Sequence, residues 1–365
     1  MVKKLNKKAA IIISIIIALP IIILLYLTLN SGDNDSYLVN PNRQVGNNNH
    51  LNLILSPILD EDAELGISLL VLSGAINNLT EIYPEGHSDK IILETPQDPL
   101  TARVGNNSES QFDFILKIFY NYKEIPFRVS GADSYETEFL FSLDSGYLLD
   151  IPLYLDESLE VDETISRLTV GIFMAPDQFS MVVEDLFIHQ FSLILAFEIN
   201  YGFDGELILT VDKKKPSRRI EGVVFYSLMV NQEWESAGSG VYFPPNPLQV
   251  RSEEEIELIF TTNMSGHAQE KLDSYLILSM LDWHQVPMSG QPYLLIDATV
   301  EVPIVASGEE VDSTVDQGRF TIIAPNEPGF YEFVAVIIPN PTSRASNNAF
   351  SPLEMSHRFT IEVIE

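Results

Sequence analysis

Six histidines, His50, His87, His189, His267, His284 and His357, are the first residues to test for chemistry, because imidazole titrates near neutrality and binds metals. None stands in a His-Glu-x-x-His spacing or in any other recognisable ligand pattern. The chain has no Gly-x-Ser-x-Gly nucleophile elbow and no phosphate-binding glycine loop; Gly238-Ser239-Gly240 is too short for either and reads as a turn. Carboxylates offer one hard-oxygen candidate, Asp60, Asp62 and Glu64, which would take calcium. An EF-hand loop beginning at Asp60 would need glycine sixth and glutamate twelfth, where this chain has Leu65 and Val71, so a plain acidic loop is the simpler reading. No other cofactor is expected. Asp156-Glu157, Glu160, Asp162-Glu163 and Glu253-Glu254-Glu255 read as solvated turns and edges whose charge discourages strand pairing between molecules.

Two features are suited to holding a partner. Lys213, Lys214, Lys215, Arg218 and Arg219 form the one basic cluster beyond the N-terminus, read as a hairpin turn between 207–211 and 223–230 that faces an acidic neighbour, a wall polymer or plain solvent. Trp234, between Glu233 and Glu235, is a candidate contact residue for a protein or sugar, with burial as its alternative. Trp283 is expected to pack in the core or at a strand end. Asn-x-Ser/Thr sequons begin at Asn34, Asn78, Asn106 and Asn263 and mark expected exposed loops.

Charge narrows the partners. The 365 residues carry 21 Lys+Arg against 52 Asp+Glu, a formal charge of -31, and Lys3, Lys4, Lys7 and Lys8 supply four of the positive charges. A surface this acidic repels phosphate backbones, so nucleic acid is not expected as a partner. There is no cysteine, which excludes disulfides, thiol catalysis and cysteine-ligated metals. No class of catalysis is signalled, and a non-enzymatic protein is expected.

The elements that must position these residues read as strands. Ile256, Leu258 and Phe260 alternate with Glu255, Glu257 and Thr261; Phe359, Ile361 and Val363 alternate with Arg358, Thr360 and Glu362. Phe112, Phe114, Leu116 and Ile118 share a face opposite Asp113 and Lys117. Period-two alternation predicts half-buried strands with one face on a core and one in water. The chain also matches itself. Asp98-Pro99-Leu100 answers to Asn246-Pro247-Leu248, and Tyr122 to Phe127 answers to Trp283 to Met288. Ile172 to Pro176 answers to Val336 to Pro339, and His189 to Leu193 answers to His357 to Ile361, with separations that grow along the chain. Four collinear matches predict a duplication, with copies at 51–203 and 204–365. Each copy has the size and patterning of an immunoglobulin-like sandwich without the Cys-Trp-Cys core of antibody domains. Pro328-Gly329-Phe330-Tyr331 leading into a strand, then Asn347-Asn348 before the strand at Phe359, resembles the immunoglobulin-like adhesion repeats of bacterial and archaeal surface proteins. That resemblance implies a spacer, adhesin or assembly module. The expected fold class is all-β: two tandem immunoglobulin-like β-sandwich domains on a single N-terminal transmembrane helix.

Residues 9–29 form an uncharged run of 21 residues rich in Ile and Leu, about 30 Å as a helix, the depth of a bilayer's hydrocarbon. Four lysines precede it and Asp33 and Asp35 follow, so 1–8 is expected in the cytoplasm and the rest outside. The run exceeds a signal-peptide core and ends without a small-x-small site, which favours an uncleaved anchor. Residues 30–50 are polar and read as a flexible linker. The expectation is a cell-surface protein, single-pass, binding or positioning another envelope protein or a wall polymer. The alternative is a subunit of a filament or lattice, since Lys8-Ala9-Ala10-Ile11 also resembles pilin leaders.

Overall fold

Alternating apolar residues recur at short intervals between turn residues, and they form strands throughout. The computed structural model describes residues 38–39, 43, 45–46, 48, 50–58, 66–74, 90–95, 97–159, 165–179, 192–201, 207–221, 228–231, 247–263, 273–298, 314–342 and 353–365. Residues 39–365 make one compact unit. Among the described residues no helix is long and apolar enough to cross a membrane, and the run 9–29 lies outside them.

The earlier strands are β1 (Ile54–Pro57), β2 (Gly66–Ser73), β3 (Lys90–Ile92), β4 (Leu100–Asn107), β5 (Phe112–Tyr120), β6 (Lys123–Glu124), β7 (Phe127–Val129), β8 (Phe139–Leu143), β9 (Tyr147–Leu155), β10 (Ser166–Met174) and β11 (Leu193–Asn200). There follow β12 (Lys213–Lys214), β13 (Arg218–Glu221), β14 (Leu228–Asn231), β15 (Leu248–Arg251), β16 (Glu255–Asn263), β17 (Ser274–Leu281), β18 (His284–Val286), β19 (Leu294–Asp297), β20 (Thr314–Ile323), β21 (Gly329–Pro339), β22 (Glu354–Met355) and β23 (Phe359–Ile364). The earlier group builds an outer sheet, β1-β9-β4-β2, and an inner sheet, β3-β11-β10-β5-β6. The later group builds an outer sheet, β13-β20-β16-β14, and an inner sheet, β12-β19-β17-β21-β23-β15. Over their common strands the two groups have the same order, the parallel pairing of β3 with β11 being matched by that of β15 with β23; among the described residues β12 and β22 have no counterpart in the earlier group, nor β7 in the later.

Each sheet pair encloses its own core. Phe114, Leu116, Ile118, Ile151 and Leu168 belong to the first, and Leu258, Phe260, Ile277, Phe333 and Ile361 to the second. A third apolar cluster lies between the inner sheets, with Ile115, Phe119 and Phe173 on one side and Leu276, Leu278, Met280, Val334 and Val336 on the other. We call this cluster the seam. Apolar area there is removed from water as fully as in either core, at roughly 25 cal/mol per Å².

The seam corrects the expectation that each strand turns one face to water. Lys117, Arg358 and Thr360 stand on the faces predicted to be wet, yet all three are buried. Alternation identifies two faces; it does not say what covers the second. The basic cluster is not a hairpin turn either. Lys213–Lys214 pairs with β19 in the inner sheet and Arg218–Glu221 with β20 in the outer sheet, so the segment crosses from one sheet to the other.

The internal matches also shift in register. Asn121 donates its N–H to Arg167 and Asp282 to Glu332. Counting onward from Arg167 and Glu332, Pro176 corresponds to Pro341 rather than Pro339. Through the pairs Arg167–Glu198 and Glu332–Thr360, Ile361 stands where Ile199 does rather than Leu193. Both slips are by an even number of residues, which leaves every side chain on its proper face and so escapes detection by pattern. Asp98-Pro99-Leu100 and Asn246-Pro247-Leu248 lead into non-equivalent strands, β4 and β15.

Candidate functional site: the seam

Two hairpin turns meet at the seam. Asn121-Tyr122 joins β5 to β6 and Asp282-Trp283 joins β17 to β18, as two-residue loops fixed by the pairs Tyr120–Lys123 and Leu281–His284. All four loop residues have positive φ, 48° and 64° in the first and 49° and 68° in the second, the signature of a type I′ turn. Asn and Asp tolerate this region well; Tyr and Trp do so at a cost of roughly 1–2 kcal/mol. Their rings are buried in the seam, which holds them there.

The contacts across the seam are reciprocal. The Tyr122 hydroxyl donates to the Pro341 carbonyl at 2.6 Å, and Trp283 Nε1 donates to the Pro176 carbonyl at 3.1 Å. The Glu124 N–H donates to Gln285 Oε1 at 2.7 Å, and the Gln285 N–H donates to Glu124 Oε2 at 2.9 Å. Such an arrangement, residue i to j and its equivalent j to i, is the rule of a two-fold isologous contact.

Charged groups fill the rest. Arg358 and Glu332, each about 2% exposed, pair at 3.1 Å. Arg358 also donates to the carbonyls of Met174, Ala175 and Gln178 and lies 4.6 Å from the centre of the Trp283 ring. At one end of the seam, Lys117 pairs with Glu124 and stands 3.7 Å from Glu138. His284 adds contacts of 3.5 Å to Glu124 and 3.7 Å to Glu138. Burial pulls Lys117 below its ordinary pKa against the charges of Glu124 and Glu138. Burial pushes Glu124 up, but hydrogen bonding with His284 and the charge and hydrogen bond of Lys117 outweigh it, so its carboxyl is held low. Arg43 closes this end: its Nη1 donates to both Glu138 oxygens at 3.0 Å, and its Nη2 donates to the main-chain oxygen and, at 3.4 Å, the carboxylate of Asp282.

Chemically, this cluster is a set of cations and carboxylates already matched to one another, and it does what ion pairs between packed elements do: it fixes their relation. Among the described residues no group of three or more His, Asp or Glu side chains is placed to hold a metal. An open hollow of about 580 Å³ beside β18 and β20, lined by Val286, Pro287, Ser289, Thr321 and Ile323, contains Glu255 as its one charged residue.

The residues singled out by sequence are elsewhere. Asp60, Asp62, Glu64 and Trp234 lie outside the described residues. Lys213, Lys214, Lys215 and Arg218 are exposed on the crossing segment, which follows Leu207 and Val211 of the seam cluster; Arg219 is there too, its side chain outside the description. Trp283 is packed, as expected, though in the seam rather than in either core. Sequence reasoning missed Arg43, Glu138 and the Glu332–Arg358 pair. The available signal was an aromatic residue at the second position of a two-residue turn, where Gly is the usual choice.

No family model matches the chain, and no curated protein matches it. Solved structures align with the chain at low identity. The C-terminal domain of the Streptococcus agalactiae AgI/II polypeptide BspA is 10% identical over 81% of this chain and 99% of that one, with a TM-score of 0.22. The E. coli chaperone DraB is 10% identical over 82% and 97%, with a TM-score of 0.24. Red sea bream transglutaminase is 8% identical over 83% of this chain, which spans about a third of that enzyme, with a TM-score of 0.20. The class that the strands themselves define is an all-β protein.

Proposed function

We propose that the chain is a membrane-anchored extracellular protein of two tandem immunoglobulin-like sandwiches on one N-terminal transmembrane helix, with a non-enzymatic binding, scaffold or accessory role at the cell envelope. One observation carries the scaffold reading: the two sheet pairs are joined through a buried seam whose charged groups pair with one another. A rigid two-part body suits a protein that holds a neighbour in place. The acidic surface and the uncharged run 9–29 supply the envelope setting. Within this reading Lys213, Lys214, Lys215, Arg218, Arg219 and Trp234 are the contact residues offered to an envelope protein or wall polymer. Asp60, Asp62 and Glu64 are a calcium site to be tested by calorimetry with calcium alone.

The test is purification from native membranes in mild detergent through a C-terminal tag, with crosslinking, total mass and intact N-terminal mass. Recovery in the membrane fraction with Met1 retained and a stoichiometric partner supports the proposal and names the partner. A processed N-terminus with ladders of like subunits replaces it by the filament reading. Release into the soluble fraction overturns the anchoring, and reproducible hydrolysis by the folded body, abolished on unfolding, overturns the non-enzymatic role.

A further inference from the structure

We infer that Arg43 is a clasp that locks the two sheet pairs together and ties the N-terminal lead-in to both at once. The symmetry of the seam is broken where this arginine sits. Counted from the two turns, Lys117 occupies the place of Leu278, and Glu124 the place of Gln285. The later side of the seam is therefore neutral at these places, while the earlier side carries a buried cation and a carboxylate. Leu278, at 1% exposure, shows that the place of Lys117 accepts an apolar side chain. A buried ion pair is no more stabilising than a well-packed apolar pair and is often less so. The charges at this end thus need an explanation beyond holding the sheets together.

Arg43 supplies it. Its guanidinium is 6% exposed and forks between the two halves: both oxygens of Glu138 on the earlier pair, and the carbonyl and carboxylate of Asp282 on the later one. The planar guanidinium directs one nitrogen at each half at once, which the single nitrogen of a lysine cannot do. Glu138 is shared, taking Arg43, Lys117 and His284 within 4 Å. Lys117 and Glu124 thus complete a charged socket in which Glu138 is aimed at the incoming guanidinium. The lead-in is also attached a few residues on, where Asn48 donates to the Leu140 carbonyl at 3.0 Å and Asn52 to Ser130 Oγ at 3.1 Å. The linker expected over 30–50 is therefore bound to the body at Arg43 and Asn48. Displacing Arg43 would leave a carboxylate on each side of the seam without its shared counter-ion, so both hairpins should loosen together.

The clasp rests on contacts within the compact unit and not on where the protein resides. The experiment is amide hydrogen exchange on the full chain in detergent, comparing the native protein with Arg43→Ala, Arg43→Lys and Glu138→Gln. Exchange at residues 119–126 and 280–287 should rise about tenfold in Arg43→Ala, in both hairpins, because exchange through local opening follows the stability of the segment that opens. Arg43→Lys, keeping the charge without the fork, should show most of that rise. Glu138→Gln should show a rise of the same order, and the double variant should be little worse than either single one, as for residues in one network. Unchanged exchange in the 280–287 hairpin of Arg43→Ala, or additive effects in the double variant, would overturn the clasp. Either result is independent of where the protein resides in the cell, so failure of the clasp and failure of the anchoring are told apart.

Discussion

The two sides of the seam have one backbone and two chemistries. The turns Asn121-Tyr122 and Asp282-Trp283 share their φ values, and each sends its aromatic ring to a proline carbonyl on the other side. Around that shared frame the later side carries Trp283, Leu278 and the Glu332–Arg358 pair, while the earlier side carries Tyr122, Lys117 and Glu124 and, at the places of Glu332 and Thr360, the buried Arg167 and Glu198. The difference teaches that reciprocity lies in the main chain and the aromatic anchors. Charged side chains differ between the sides: Arg358 caps the 174–178 turn on the later one, while Lys117 and Glu124 surround the Glu138 that receives Arg43 on the earlier one.

Variants of the anchors and of the added charges separate these roles. Trp283→Ala should be the most damaging, at about 4 kcal/mol, since it empties the seam and strips Arg358 of its ring. Denaturant unfolding of the full chain in detergent measures it, and a loss below about 1 kcal/mol would mean that the seam contributes little. Glu332→Gln should cost about 3 kcal/mol by leaving the Arg358 charge buried without its carboxylate. Replacing both by Gln and Met should recover much of that loss in the same assay.

Acid should act next, through His357. Burial lowers its pKa from 6.5 to about 4. Between those values the unfolded chain takes up a proton that the folded chain refuses, so this contribution is complete above pH 6.5 and disappears as pH falls towards 4. The swing amounts to about 3 kcal/mol, and His357→Leu should flatten it in unfolding curves recorded across that range. The smallest effect belongs to Tyr122→Phe, about 1 kcal/mol for one hydroxyl whose acceptor is the Pro341 carbonyl. An equal loss for Tyr122→Phe and Trp283→Ala would erase the distinction between the sides.

Particular residues show how far the sequence could be read. Alternation in Phe112 to Ile118 and in Phe359 to Val363 placed the right side chains in the two cores. It also placed Lys117 and Arg358 on the opposite faces, and there the inference failed, because a covered face and a wet face have the same period. The pairing of Tyr122 with Trp283 was visible by self-comparison, whereas that of Pro176 with Pro341 was hidden by an even register slip. Arg43 and Glu138, 95 residues apart, leave no pattern at all.

By itself the sequence determined the all-β character, the acidic surface, the faces of the strands and the likeness of the two turns. Those properties follow from local periodicity and composition, which each segment carries with it. Tertiary structure alone decided which outer faces meet, which charges are buried by that meeting, and that Arg43 reaches both halves. The reason is physical: burial and ion pairing depend on the surface that arrives from elsewhere in the chain.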